Sequence, residues 1–433
     1  MMRATSPNGP FLAMRLASVL LVCVVGSSAQ PSADTAVAYV FAHPAYRLAA
    51  DTLDQTFPQF VRDVITLTEI PAPPKGESAR AQECLKLIRA AGLPAATIDA
   101  EGNVVAFRQG LGGPLLVMAA HLDTVFPVET DVHVRRDGVR LSAPGVGDNA
   151  QGVATLIAMV RALTAAHATT VNDVLFVADV GEEATGDLRG IRYLLGKGPY
   201  RGRVKQFVAI DGVGSGSAIT ISAVGSLRYR VTFRGPGGHS FGSFGTVNPA
   251  SAMAEAIAAM NALKVPETPR TTFNVGVLGG GTSVNTIPSS VWMDVDLRSE
   301  STLELSKLDQ ALREIVRQAV DAENRRRSVS LGPIEASVEQ VGFRPSGQTS
   351  ATSHIVTTTA AAMRLMNLVP VFPPASTDAN LPISMGIPAI TIDTGIPGDR
   401  PHAPDEWIEL DPRVAVGGLQ RTLLIVMSLA GLR

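Results

Sequence analysis

The apolar positions of this chain fall into two textures. From about Ala33 to Leu93 they recur at helical spacing, broken at Pro58 and by the segment IPAPPKGES, which reads as a loop. Short uninterrupted apolar runs follow: Pro114 to His121 (PLLVMAAH), Asp173 to Glu183 (DVLFVADVGEE) and Gln206 to Gly212 (QFVAIDG). A strand covered on both faces has no polar side to present, so such runs predict buried strands of a largely parallel sheet. Between the first two, Asn149 to Leu163 carries apolar residues at helical spacing. The combination predicts an α/β fold with helices on both faces of the sheet.

From about Ala223 the pattern alternates. SLRYRVTFRG, TTFNVGVLGG and SVWMDVDLRS predict strands of a sheet with one exposed face. NPASAMAEAIAAMNAL predicts a helix with Pro249 near its start, Thr302 to Arg327 a long polar helix, and IEASVEQV a further strand. The order strand, helix, strand, strand, helix, strand predicts an inserted α+β lid of ferredoxin-like topology. Ile387 to Gly395 (IPAITIDTG) is again a buried-strand run, so the chain returns to its first domain. The predicted division is residues 30–222 for the first part of a catalytic domain, 223–342 for a lid and dimerisation domain, and 343–433 for the second catalytic part.

A length of 433 residues agrees with that division, since single cores seldom grow so large. With 18% charged and 45% apolar residues the chain is globular, and a net charge of −2 offers no basic surface for nucleic acid. The run Arg325 to Arg327 reads as a solvated helix end. At the N-terminus, Arg3 and Arg15 precede the apolar stretch Leu16 to Val25, with small Ser27 and Ala29 after it. This predicts a signal peptide over residues 1–29 and an exported protein, periplasmic or secreted, without stable membrane insertion after cleavage. Cys23 lies in that segment, which leaves only Cys84 and no intramolecular disulfide. Any metal site must therefore use histidines and carboxylates.

Each candidate for chemistry falls just past the carboxyl end of a predicted buried strand or in the loop after it. His121 and Asp123 end the first strand, Asp148 sits in PGVGDNAQG, Glu182 and Glu183 end the next run, Asp211 ends another, and His402 follows the last. That rim is where open α/β sheets build their sites. Taken singly, each has an ordinary reading as a surface pair, a helix cap or a loop residue. Together they put many carboxylates on one rim of a buried sheet, which costs too much unless a cation neutralises them.

On these residues the chain resembles the co-catalytic zinc exopeptidases and deacylases, the family of peptidase T, glutamate carboxypeptidase, aminoacylase and acetylornithine deacetylase. The motifs HLDTV, GDNAQGVA, GEE, AIDG, GGHS, SVNTIP and PHAPDEW carry the likeness over nearly all of the chain beyond residue 29. The resemblance implies two zinc ions per chain, with Co2+ or Mn2+ as substitutes. Asp148 would bridge them, His121 and Asp211 would complete one, and Glu183 and His402 the other. Asp123 would orient the His121 ring, and Glu182 would be the general base. It also implies His239 as a lid histidine reaching the substrate carbonyl, entering the partner's site in dimeric members, and Asn285 and Arg298 as ligands for a substrate carboxylate. Ions roughly 3.5–4 Å apart hold a water and lower its pKa toward about 7, giving a bridging hydroxide. The expected activity is hydrolysis of an amide bond in a small peptide or N-acyl amino acid by a homodimer. GVGDNAQG departs from the family's longer Gly-rich or Lys-containing form, which bears on substrate class. STDAN around Asp378 resembles a substrate-proximal segment. His43, His133, His167 and His354 read as structural or surface residues.

Two other readings use the same residues. Gly238 to Gly242 spells a nucleophile-elbow pattern around Ser240, with Asp378 and His402 downstream in serine-hydrolase order, but an alternating strand precedes it and no helix follows. A metal-dead binding protein on the same fold would lack a ligand or the base, and none is missing. The 191-residue separation of Asp211 from His402 leaves room for a lid, unlike the simpler zinc aminopeptidases.

Overall fold

A computed structural model describes residues 32–433, so the targeting segment expected over residues 1–29 lies outside the described residues. Four helices come first, α1 Ala33–Ala42, α2 Pro44–Gln55, α3 Phe57–Thr68 and α4 Ser78–Ala90. Pro58 stands in the first turn of α3, where its missing N–H costs nothing. The core continues through β1 Val104–Arg108, β2 Gly113–His121, α5 Gln151–Ala165, β3 Asn172–Asp179, α6 Arg189–Gly196 and β4 Val204–Ile210. The insert then supplies β5 Gly225–Arg234, α7 Pro249–Asn261, β6 Thr271–Gly280, β7 Ser290–Ser299, α8 Thr302–Arg326 and β8 Glu335–Arg344. The chain returns through α9 His354–Leu365, α10 Asn380–Ser384, β9 Ala389–Ile392 and α11 Pro412–Ala430.

In the seven-stranded central sheet the strands lie in the order Thr97–Ile98, β1, β3, β2, β4, β9, Ile219–Thr220. The four central strands are mutually parallel, and the outer ones join antiparallel. The apolar runs are these central strands. Val117, Met118, Val177, Val208 and Ile390 are fully buried, because α5, α9 and α11 cover one face and α6 and α10 the other. Helix α5 is buried along most of its length, and each of its Leu and Ile side chains contributes roughly 1.5–3 kcal/mol by leaving water. Helix α11 is long and apolar enough to cross a membrane, yet it is mostly buried against the core.

The insert is a four-stranded antiparallel sheet in the order β6, β7, β5, β8, the ferredoxin-like arrangement expected. Tyr229, Val231, Phe233, Met293, Val295 and Leu297 point to one side and form a separate core with α7 and α8. Alternation puts Arg228, Asp294, Asp296 and Arg298 on the other face. Helix α8 starts on Ser301, whose hydroxyl accepts from Glu304 N, and ends with Arg325 and Arg326 in its last turn.

Candidate metal centre

The strand β3 stops at Asp179, so Glu182 and Glu183 lie in the loop beyond it and not on the strand itself. Asp123 fixes that loop: its carboxylate accepts from Glu182 N at 2.9 Å and Glu183 N at 2.8 Å. Asp123 also stands against the His121 ring, through its main chain. It is the Asp123 carbonyl that lies 3.0 Å from His121 Nδ1, while the carboxylate is 3.7 Å away and occupied by the two amides. With Nδ1 so engaged, Nε2 is left for the rim.

His121 Nε2 lies 3.0 Å from Asp148 Oδ1 and 3.5 Å from Asp211 Oδ1. On the other side, His402 Nε2 lies 3.2 Å from Asp148 Oδ2 and 2.8 Å from Glu183 Oε1. Asp148 thus stands between two imidazole–carboxylate pairs with one oxygen toward each. Its peptide bond to Asn149 is cis. Upstream, Gly145 has φ +76°, and a Cβ there would meet Thr124 Cγ2 at 2.6 Å, so only glycine makes this entry to the loop.

Burial raises the pKa of Asp211 and of both glutamates. Asp148 is half-buried, and the imidazoles of His121 and His402 outweigh its desolvation and hold it well below the usual carboxylate range. Burial alone would lower His121; its hydrogen bonds with Asp148 and Asp211 prevail and raise it well above the ordinary value. Hydrogen bonds to Asp148 and Glu183 push His402 up to about 10. Four carboxylates and two imidazoles packed this closely are hard oxygen and borderline nitrogen donors in search of a cation. Asp148 Oδ1 is buried and faces His121 Nε2 at 3.0 Å, a carboxylate–imidazole approach that a shared cation would satisfy. His121, Asp148 and Glu183 each offer a ligand atom within 4.8 Å of the others, which makes one candidate metal position.

Two residues that shape this centre were missed in the sequence. Glu406 is buried, and its carboxylate accepts from Gly145 N at 2.8 Å, Gly147 N at 2.7 Å and Asp148 N at 2.6 Å. Burial first, and then the Asp148 charge, push Glu406 up to about 7 against those three N–H groups. Arg344, the last residue of β8, donates from Nη1 to Glu182 Oε1 at 2.7 Å and from Nη2 to the Glu182 carbonyl.

A cavity of about 300 Å³ opens on these groups, and Arg228, Arg298, Arg344 and Ser376 line it beside the candidate ligands. Arg298 is held by Asp296 at 2.6 Å. His239 and Asn285 do not line this cavity. They sit together on an exposed ribbon in which Gly238–His239 pairs with Thr286–Ile287, and His239 Nδ1 accepts from Phe241 N and Gly242 N. The Ser240 elbow also fails, since turns follow this two-residue strand and the next helix starts only at Pro249. Asp378 is buried, its carboxyl raised by burial and by Asp179, and it is Ser376 of its segment that reaches the cavity. Among the remaining histidines, His43 caps α2, and His133 pairs with Asp131 at the surface.

A parallel sheet whose carboxyl rim collects two histidines and four carboxylates, roofed by a ferredoxin-like insert, defines a metal-dependent hydrolase of the lidded exopeptidase class. The chain belongs to Peptidase family M20/M25/M40, whose sequence profile matches residues 117–420. A curated relative, succinyl-diaminopimelate desuccinylase of Corynebacterium glutamicum, is 26% identical over 253 residues, 56% of this chain and 66% of its own length. Among solved structures, aminopeptidase PepT of Bacillus cereus superposes with a TM-score of 0.67 at 19% identity, covering 86% of this chain and 98% of its own. The di-peptidase Dug1p of Saccharomyces cerevisiae gives 0.69 at 12% identity, covering 89% and 98%. An amidase of the hydantoinase/carbamoylase family from Burkholderia vietnamiensis gives 0.66 at 18%, covering 86% and 97%.

Proposed function

We propose that this protein is an exported hydrolase that cuts an amide bond in a small peptide or N-acyl amino acid, using two zinc ions and Glu182 as general base. The observation that carries this reading is the stance of Asp148, one oxygen toward His121 and Asp211 and the other toward His402 and Glu183. His121, Asp148 and Asp211 would hold one ion, and Asp148, Glu183 and His402 the other. Bound there, the ions would supply Lewis acidity, acidifying the attacking water and polarising the substrate carbonyl. Glu182, adjacent to a ligand but outside both ligand sets, takes the proton of the attacking water and returns it to the leaving amine. Arg298, at the cavity wall, receives a free carboxylate of the substrate. The test is metal analysis of the chain without residues 1–29, with dipeptides, tripeptides and N-acyl amino acids as substrates and products identified by mass spectrometry. Two zinc ions per chain and amide cleavage abolished by a chelator are expected. One ion per chain in the active protein, or activity resistant to the chelator, would overturn the reading.

The exposed ribbon supports a homodimer in which His239 acts on the partner's substrate. Phe241 and Phe244 beside it are 89% and 82% exposed, and β6 is an edge strand with Val277 and Leu278 exposed, apolar surface and an open strand edge of the kind that a second copy covers. His239 would donate to the carbonyl oxygen as it becomes negative, an interaction strongest in the transition state. Inactive His239→Ala chains mixed with inactive Glu182→Gln chains should then regain activity, because a mixed dimer has one site carrying both defects and one carrying neither. A silent mixture despite proven subunit exchange, or a monomer in solution, would exclude the arrangement.

A further inference from the structure

Arg344 is the point at which the insert touches the residue proposed as base. It is 4% exposed and Glu182 is also 4% exposed, so the pair is formed away from water. The guanidinium holds two atoms of one residue, the side-chain Oε1 and the main-chain carbonyl, which fixes Glu182 in both rotamer and backbone. Further contacts from Nη1 to Ser376 O at 3.4 Å and Ser376 Oγ at 3.2 Å fasten the guanidinium to the segment after α9. Glu182 Oε2 receives no hydrogen bond among the described residues, and Glu182 lines the cavity shared with His121, Asp148 and Asp211. One oxygen is thus committed to Arg344 and the other is available for chemistry.

The sheet of the insert explains why the arginine stands there. Ser226 of β5 lies opposite Arg344 on β8 and opposite Arg298 on β7, so the three occupy one row across the sheet. Cross-strand partners point to the same face, which directs both guanidiniums toward the cavity they line. Arg298 is braced within the insert by Asp296, whereas Arg344 has its carboxylate partner in the core. The two arginines have different tasks.

We propose that Arg344 is a positioning residue that locks Glu182 with Oε2 toward the attacking water and makes the base's orientation depend on the placement of the insert. The inference rests on the reading of Glu182 as base. A displacement of the base by about 1 Å costs on the order of 10²-fold in rate, and Arg344 prevents that displacement.

The test uses the zinc-loaded full protein with Arg344→Gln, Arg344→Lys, Glu182→Gln and the double variant Arg344→Gln/Glu182→Gln. Arg344→Gln should lower kcat on the order of 10²-fold while KM and zinc content stay unchanged. Arg344→Lys keeps the charge without the fork and should lose less. The double variant should be no slower than Glu182→Gln alone, since nothing remains to be positioned. Losses that multiply in the double variant, or a change confined to KM, would overturn the proposal, the latter by making Arg344 a substrate ligand. Should Arg344→Gln fail to fold, Arg344→Lys decides, and wild-type kcat in that variant overturns the proposal. The two readings separate cleanly: active Glu182→Gln removes the base assignment itself, while inactive Glu182→Gln beside fully active Arg344→Gln removes only the inference.

Discussion

Glu182→Gln should leave zinc content and folding intact and lower turnover by at least ~10²–10⁴-fold, the usual contribution of a general base. The substitution keeps shape and volume, and the amide oxygen can still accept from Arg344. What it removes is the ability to take up a proton beside the metal ligands. Glu183→Gln tests the assignment from the other side. Glu183 lies 2.8 Å from His402 Nε2, in the arrangement of a ligand pair, so its variant should shed metal in dialysis against a weak chelator. If Glu182→Gln loses the metal and Glu183→Gln keeps it, ligand and base have been exchanged.

The second large effect is that of Asp148→Ala, which should carry little or no zinc. Its carboxylate is the single group lying between both imidazoles, and each of its oxygens lies within 3.2 Å of one of them. Under the proposed ligand set, removing any other ligand would leave one complete ion set, whereas removing this one would open both. The buried carboxylates left behind then repel one another without a counter-ion. Metal content by mass spectrometry and stability with and without added zinc measure the result. A variant that still binds two ions would show that Asp148 does not bridge.

The sheet could be read from sequence because its strands are buried on both faces. Uninterrupted runs such as PLLVMAAH have few other uses, and the residues at their carboxyl ends were thereby placed on one rim. The ferredoxin-like insert was legible for the complementary reason, since alternation such as that of SVWMDVDLRS marks one covered face. The residues that brace the rim were not legible. Glu406 sits in PHAPDEW among exposed neighbours, and it acts on backbone amides 258 to 261 positions earlier. Arg344 meets Glu182 across 162 residues, and its only local signal is its place beside Pro345, where the insert hands the chain back. Asp123 was found, but its carboxylate proved to serve the glutamate loop and its carbonyl the histidine, a division that residue type alone does not encode.

The fastening of the Asp148 loop by Glu406 has a consequence for how the protein is made. Residues 145–148 leave the ribosome some 260 positions before the carboxylate that holds them, and His402 is just as late. A nascent chain that has completed the strands around His121 still lacks the clamp and one imidazole until residues 402–406 are synthesised. Under the proposed ligand set, stable metal capture therefore waits until residues 402–406 have been made and have closed on the Asp148 loop. Truncation before residue 402 would keep the central strands but remove His402 and the Glu406 clamp, leaving only the His121, Asp148 and Asp211 side of the rim complete.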